Sequence, residues 1–380
     1  MIYLDHAATT KSDEETIQVM NDATRNFFAN PSSLHDPGIA ARKRLNVARR
    51  NIARYLGTEK QHILFTGTAT EAINTVIKGT FFKHPKKTII TSNVEHNATL
   101  NACKFVKAQG GHVITLESDA TGNMPLDELE KVLNDHTVSL VSLIYANNEL
   151  GTIIDVAPIN ELCKKYQAKL HLDMVQGPAH QRIKLDELDI DYASFAAHKF
   201  YGPRGVGILY FKAKDTFDSL IHGGRQEHQK RAGTENLAGI VGCEHALGRC
   251  YHNIDTWEAT IRANAEIFLE TLKKNNIDFR LNGPSFSDKR LPSILNIGFK
   301  DQDAQIMAFK LNEAGICVSL GSACHSEVIE ASHVLQGIRV PEAYIDGSMR
   351  LSLSHEETKT DMIKVANTMA ELVKSGECKK

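Results

Sequence analysis

No CxxC pair occurs among the seven cysteines, Cys103, Cys163, Cys243, Cys250, Cys317, Cys324 and Cys378. An odd number of scattered thiols argues against a disulfide framework and against a zinc ribbon, and no metal site is expected. Reduced thiols in the cytoplasm are the expectation. Neither sign of charge dominates: 44 Lys+Arg stand against 46 Asp+Glu, a formal net charge of −2. That balance offers no general field for nucleic acid or for an anionic membrane. Long apolar runs are missing as well. The most apolar stretch, VSLVSLIYA at 138–146, is far too short to span a bilayer. The opening MIYLDHAATT has neither the basic n-region nor the apolar h-region of a signal peptide. No Walker loop is found, and no GxGxxG follows an early strand, which disfavours a nicotinamide-binding Rossmann enzyme. Internal repeats and low-complexity runs are also absent.

What remains is an ordinary soluble composition. The 380 residues are 42% hydrophobic and 24% charged, unlike a disordered chain, a collagen or a coiled coil. A chain of this length can bury roughly three quarters of its unfolded surface. It suggests two domains, or one large domain and a smaller one.

Strand, turn and helix recur along the chain. Ser12 with Glu15 reads as a capping box for a helix reaching about Phe28. Pro31 and Pro37 bracket the loop NPSSLHDPG. The next helix carries Ala41, Leu45, Ala48, Ile52 and Leu56 on one face and ends at Gly57. Short apolar runs then read as buried strands at 62–66, 88–91, 112–116, 137–145, 169–173, 192–197 and 206–211. Helices are expected near 69–78, 97–109, 125–133 and 156–167. The alternation predicts an α/β fold with a mostly parallel sheet covered on both faces. From about Glu235 two long helices are expected, one through His252 and one from Trp257 to about Lys274. Shorter strands follow at 293–299, 317–320 and 349–353, and Ser354 with Glu357 reads as the capping box of a last helix. The expected division is a large domain over 15–252 and a smaller one from 1–14 and 253–380.

In such a sheet, ligands sit at the carboxyl ends of the strands. Lys199, in YASFAAHKFYGPRGVG, follows an apolar strand and precedes a tight turn. Burial would lower its pKa and suit it to Schiff-base chemistry, although a lysine that snorkels out of a loop is equally compatible. Asp173 closes the strand KLHLD one crossover earlier; alone, it reads as a solvated loop acid. Together the two form the minimal pyridoxal phosphate (PLP) constellation, an acid for a pyridine nitrogen and a lysine for the aldehyde. The turn in ILFTGTATEAIN could present helix N–H groups and Thr70 to a phosphate, or could be simple capping by threonine. Cys324, in VSLGSACHSEV, is the one cysteine in a Ser/Gly-rich loop. The other six read as small buried hydrophobes or, for Cys378, as part of a frayed tail. Arg350, in SMRLSLS, could clamp a carboxylate or form a strand salt bridge. His96, in SNVEHNA, could stack on a flat ring or be a satisfied core group.

Taken in order, YLDHAATT, NPSSLH, TATE, EHNA, NNELG, HLDMVQ, SFAAHKFYGPRGVG, RAGTEN, LGSACHS and the Arg350 strand resemble the NifS/IscS-like cysteine desulfurases of the class V aminotransferase superfamily. The resemblance covers nearly the whole chain. It implies PLP fold type I, with a seven-stranded sheet in the large domain, a small α/β domain and a homodimer. It implies Lys199 as the Schiff-base lysine, Asp173 on the pyridine nitrogen and His96 stacked on the ring, where the histidine would also help to move protons on and off the substrate. Asn148 and Gln176 would contact the ring face and its hydroxyl. Ala69, Thr70 and His198 would hold the phosphate, joined by Thr234 of the other subunit. Cys324 would carry the persulfide. Arg350, with Asn30 near it, would bind the carboxylate of L-cysteine.

Four positions depart from the family pattern. Thr68 and Arg225 stand where Gly is usual, Ala196 where Ser is usual, and Ser354-His355 where Gly-Arg is usual. The segment after Cys324 resembles that of members with an extended catalytic loop. The implied activity is conversion of L-cysteine to L-alanine, with sulfur passed through Cys324 to an acceptor protein. The short stretch after Arg350 favours a tRNA-thiolation enzyme over an iron–sulfur scaffold as that acceptor. Alternatives are a selenocysteine lyase or aminotransferase on the same fold, and a sulfur-relay protein without catalysis.

Overall fold

The computed structural model describes residues 1–213, 216–287, 289–320 and 332–379. Cys324 therefore lies outside the described residues.

The chain enters with the short strand β1 (Ile2–Tyr3). Seven strands then build the main sheet: β2 (Ile63–Thr66), β3 (Thr88–Ser92), β4 (Val113–Leu116), β5 (Val138–Ile144), β6 (Lys169–Asp173), β7 (Tyr192–Ala196) and β8 (Gly207–Phe211). Their order is β2-β8-β7-β6-β5-β3-β4. β8 runs antiparallel to both of its neighbours, and the pairs from β7 through to β4 are parallel. Helices cover both faces of the sheet. Every residue of β5 is buried, which is why its sequence is mainly apolar, broken only by Ser139 and Ser142, rather than an alternation. The expected α/β architecture and mostly parallel sheet are present, with strand limits shifted by one or two residues.

The C-terminal part adds β9 (Phe279–Leu281), β10 (Ile294–Phe299), β11 (Ile316–Cys317) and β12 (Ser348–Ser352). β10 pairs antiparallel with β9 and β12, and β1 runs parallel to β11. Strand β9 has no counterpart in the sequence reading, because FRL is only half buried and carries no clear pattern. Ile2 and Leu4 join a hydrophobic cluster with Phe268, Leu295, Phe299, Met307, Ile316 and Met369. A separate and larger cluster fills one side of the main sheet.

Three expectations about helices are corrected. The two long helices are one, Leu237–Lys274, of 38 residues. No Gly or Pro interrupts 249–274, and Ile254 and Trp257 are buried where a break was expected. Ser12 is not an N-cap. Its hydroxyl donates to the Gly202 carbonyl (3.0 Å), while the Asp13 carboxylate accepts from Thr16 N (2.7 Å) and caps helix Glu14–Asn26. Ser354 and Glu357 do not open the last helix. Thr358 and Asp361 form the capping box of Lys359–Ser375. Ser354 and Glu357 close a buried turn before it, with Ser354 N donating to Glu357 Oε2 at 2.6 Å.

Cys378 is fully buried, not frayed, and its carbonyl accepts from Asp303 N (2.7 Å). The six described cysteines are free thiols. Among the described residues, no helix is long and apolar enough to cross a membrane, and no His/Cys/Asp/Glu group could hold a metal ion.

Candidate active site

The carboxyl ends of β5, β6 and β7 open into a cavity of about 470 Å³. Each strand delivers its side chains at its last residue or in the turn that follows. Asp173 ends β6, is 3% exposed and accepts from Val175 N at 3.1 Å. Burial pushes its carboxyl up to about 6, against the pull of the Val175 bond and of Lys199. Lys199 sits in the single 3-10 turn Ala197–Lys199 after β7. Its Nζ donates to the carbonyls of Ala7 (2.5 Å) and Ala8 (2.7 Å). Burial, and then Arg350, bring its ammonium down to about 8, opposed by Asp173 and Asp5. A minority of the lysine population is thus neutral near physiological pH, a far larger share than for a solvated lysine, as a nucleophile or base requires.

His96 caps helix Asn97–Ala108 with its ring. Ala98 N donates to Nδ1 at 3.1 Å. Burial, with Lys199, His333 and Arg350 nearby, holds the imidazole down to about 4. The ring is therefore neutral, with its proton on Nε2. On the opposite wall, helix Ala69–Lys83 begins at the cavity, with Thr68 Oγ1 accepting from Glu71 N (3.0 Å). Thr68, which replaces the usual glycine, is an ordinary N-cap. Gly207 lets this turn sit against β8, because a Cβ there would collide with the Thr68 carbonyl. The Glu71 carboxylate accepts from Gly67 N (2.8 Å) and Arg231 Nε (2.8 Å), which fixes the helix start. His198 lines the same end, and burial holds its ring down to about 4.

Arg350 enters from β12. Its Nη1 donates to the Asn148 carbonyl (3.0 Å) and its Nη2 to Asp5 Oδ1 (2.7 Å). Its buried Nε has no partner. Gln176 lines the cavity and donates to the Ala7 carbonyl at 3.0 Å. The cavity thus brings together Ala69, Thr70, His96, Asn148, Asp173, Gln176, His198, Lys199 and Arg350. Ala196 is there too, where a serine hydroxyl is usual.

One expected residue is elsewhere. Asn30 is not among the described residues lining the cavity; its side chain accepts from Ser32 N (2.9 Å) in its own loop. Thr234, expected to reach the site of a second subunit, does not line this chain's own cavity.

Three acidic or basic side chains were missed. Glu95 is 1% exposed, accepts from Ser92 Oγ (2.6 Å) and is pushed up by burial to about 8. Glu149 accepts from Ser332 Oγ (2.5 Å). His333 donates from Nε2 to the Glu95 carbonyl (2.9 Å). Glu95 and Glu149 each lie beside a residue already singled out, which was the available signal. Ser319 and His333, which flank residues 321–331 in the sequence, line the cavity.

The family model for aminotransferase class-V matches residues 2–365. The chain belongs to the class-V aminotransferase family. It is 39% identical over 363 residues to a cysteine desulfurase IscS of Dictyoglomus turgidum, covering 95% of this chain and 91% of that one. A solved structure described as a NifS-like protein superposes with a TM-score of 0.91 at 32% identity, covering 98% of this chain and 99% of the other. Another, described as SspA in complex with cysteine, gives a TM-score of 0.81 at 30% identity over 94% of this chain and 100% of the other.

Class-V aminotransferases of this cysteine desulfurase type depend on PLP, and the cavity fits that group. Asp173 is an enclosed acid suited to a ring cation, Lys199 is a partly neutral amine, and the start of helix Ala69–Lys83 offers N–H groups and Thr70 to a phosphate.

Proposed function

We propose that the protein is a PLP-dependent cysteine desulfurase that converts L-cysteine to L-alanine and holds the sulfur as a persulfide on Cys324. The observation that carries this reading is one cavity shared by Lys199, Asp173, His96 and Arg350 and lined by Ser319 and His333, described residues on either side of Cys324 in the sequence.

Lys199 would attach the cofactor, Asp173 would face its ring nitrogen and His96 its ring. Asn148 and Gln176 would contact the ring and its hydroxyl. Ala69, Thr70 and His198 would take the phosphate, with Thr234 of a second subunit. When bound, PLP supplies an electron sink for charge at the substrate Cα. Arg350 pairs with the substrate carboxylate, and its orphaned Nε is a donor in waiting. Lys199, with its lowered pKa, takes the Cα proton. His96 has Nδ1 committed to Ala98, so it orients through Nε2–H and is a poor base. The Cys324 thiolate attacks the substrate sulfur; an S–S bond forms and the Cβ–S bond breaks. Cβ takes up a proton in place of the sulfur, Lys199 returns a proton to Cα, and alanine leaves.

The larger unit, 15–252, presents the cofactor residues, and the smaller, 1–14 with 253–380, presents Arg350 and Cys324; the two separate hydrophobic clusters support that division. The working form is a cytoplasmic homodimer, in keeping with six free thiols. The sulfur acceptor is a tRNA-thiolation enzyme or an iron–sulfur scaffold protein. Incubation with L-cysteine should give alanine and a persulfide that mass spectrometry maps to Cys324. Cys324→Ala should bind cysteine and form no persulfide. Wild-type protein that yields no alanine would refute the assignment.

A further inference from the structure

Adjoining the main cavity, and sharing Ala7, Gln176 and Lys199 with it, lies a small chamber of about 10 Å³. That is close to the space one water molecule needs. Lys199 and Gln176 line both spaces, and His6, His180 and Tyr201 line the chamber alone. Two imidazole nitrogens here have no partner: Nδ1 of His6 and Nδ1 of His180 are enclosed and unbonded. Their other nitrogens are taken. His6 Nε2 meets Glu357 Oε1 at 3.0 Å, and His180 Nε2 meets Ser293 Oγ at 3.1 Å. A carboxylate can only accept, so His6 carries its proton on Nε2 and presents a lone pair at Nδ1. Two enclosed orphan nitrogens on residues lining a water-sized chamber call for a bridging partner, because a buried polar group left unbonded is destabilising.

We propose that this chamber holds one water molecule, bonded to Nδ1 of His6 and Nδ1 of His180, through which Lys199 exchanges a proton with the His6–Glu357 pair. The proposal rests on the assignment of Lys199 as the proton carrier of the reaction. In the exchange, the Lys199 ammonium gives a proton to the water oxygen as the water gives one of its own to Nδ1 of His6. No electrons change hands. A neutral amine and an imidazolium result, and the imidazolium sits against the Glu357 carboxylate. The reverse step restores the lysine.

Glu357 is held ready by Ser354, whose N–H (2.6 Å) and hydroxyl (3.1 Å) both donate to it. Its side chain keeps 6% exposure, which gives the relay an outlet to solvent. The charged and titratable groups around His6 are Glu357 from the turn after β12, His180 from the loop after β6, Lys199 and Tyr201 from the turn after β7, His355 beside Glu357, and Tyr3 of its own segment. Burial, with His6 nearby, keeps His180 neutral, down at about 4, so it anchors the water rather than carrying charge. Ser354, one of the departures from the family pattern, thereby has a use: it fixes the far end of the relay.

A crystal structure of the PLP-loaded protein should show a water within hydrogen-bond distance of both Nδ1 atoms. An empty chamber, or protein groups bonded to those nitrogens, overturns the proposal. A second measurement follows exchange of the Cα proton of L-alanine in heavy water by NMR. With the relay, Lys199 returns a solvent deuteron; without it, the lysine returns the proton it took. His6→Gln should slow deuterium incorporation about tenfold, with alanine binding within about twofold of wild type. An unchanged exchange rate overturns the relay. Should His6→Gln fail to fold, Glu357→Gln, read by the same exchange, takes its place. Borohydride fixation of PLP to a different lysine would sink the functional assignment alone, because the water is judged by its own density.

Discussion

His171 lies two residues before Asp173 on the same face of β6, wedged between Ser142 Oγ (2.8 Å) and Ser194 Oγ (2.9 Å). Desolvation alone pushes its ring down to about 3. An unfolded histidine titrates near 6.5, so below that pH the unfolded chain binds a proton that the folded chain refuses. Stability should therefore fall as pH drops from about 6.5 towards 3. Denaturant titrations at several pH values should show it, and His171→Gln should remove about one proton from the slope, or about 1.4 kcal/mol per pH unit. A slope unchanged by the substitution would show that His171 titrates normally in the fold. At this scale the sequence was partly readable. Lys199 and Asp173 stand at strand ends, where a local pattern marks them. The Ala7 and Ala8 carbonyls that hold Lys199, and Glu95 and His333 on the cavity wall, have no local signature. Their placement comes from packing between distant segments.

Four Ser/Thr-x-x-acid patterns occur at helix starts, and only Thr358–Asp361 is a full capping box in the fold; Thr68 caps its helix, but Glu71 turns to Gly67 N instead of the cap residue. Ser12-Glu15 lost to Asp13 because the Ser12 hydroxyl is drawn to the Gly202 carbonyl. Ser354-Glu357 became a buried turn because Glu357 also meets His6. Both choices depend on partners far away in the chain, which a local pattern cannot register. The structure predicts different outcomes for the two C-terminal pairs. Thr358→Ala should cost about 1 kcal/mol of stability and raise amide exchange in the first turn of helix Lys359–Ser375. Ser354→Ala should leave that turn protected. Equal exchange in the two variants would contradict the assigned cap. A larger effect is expected at Glu227, whose side chain is 1% exposed. It accepts from Arg49 Nη1 (2.7 Å), Arg49 Nη2 (2.5 Å) and Phe65 N (2.9 Å). Glu227→Ala strands a buried guanidinium and should cost about 3 kcal/mol or more. A loss below about 1 kcal/mol in chemical denaturation would show that water or other groups replace the carboxylate.

The proposed dimer gives a prediction for the whole molecule. Arg231 ties the segment leading to Thr234 onto the start of helix Ala69–Lys83, yet Thr234 is absent from its own chain's cavity. Lys199→Ala and Thr234→Ala subunits, mixed under exchange, should form heterodimers with one intact site and regain activity. Mixtures no more active than either parent, despite proven exchange, would exclude a shared site. The large sheet was legible because buried parallel strands read as apolar runs. How the two ends of the chain meet was less so: only the joining of the first strand to the C-terminal part was foreseen.

That meeting bears on how the protein is made. Ile2 pairs with Ile316, Asp5 holds Arg350, and Ala7 and Ala8 hold Lys199. Ile2 and Asp5 thus have no partner to settle on until Ile316 and Arg350 have been synthesised. Such distant pairing slows folding. The main sheet can form during translation, but the segment that carries the two carbonyl partners of Lys199 is anchored only once β11 and β12 exist. Cofactor capture in its final geometry then follows synthesis of β12, and it marks the chains that have reached that strand.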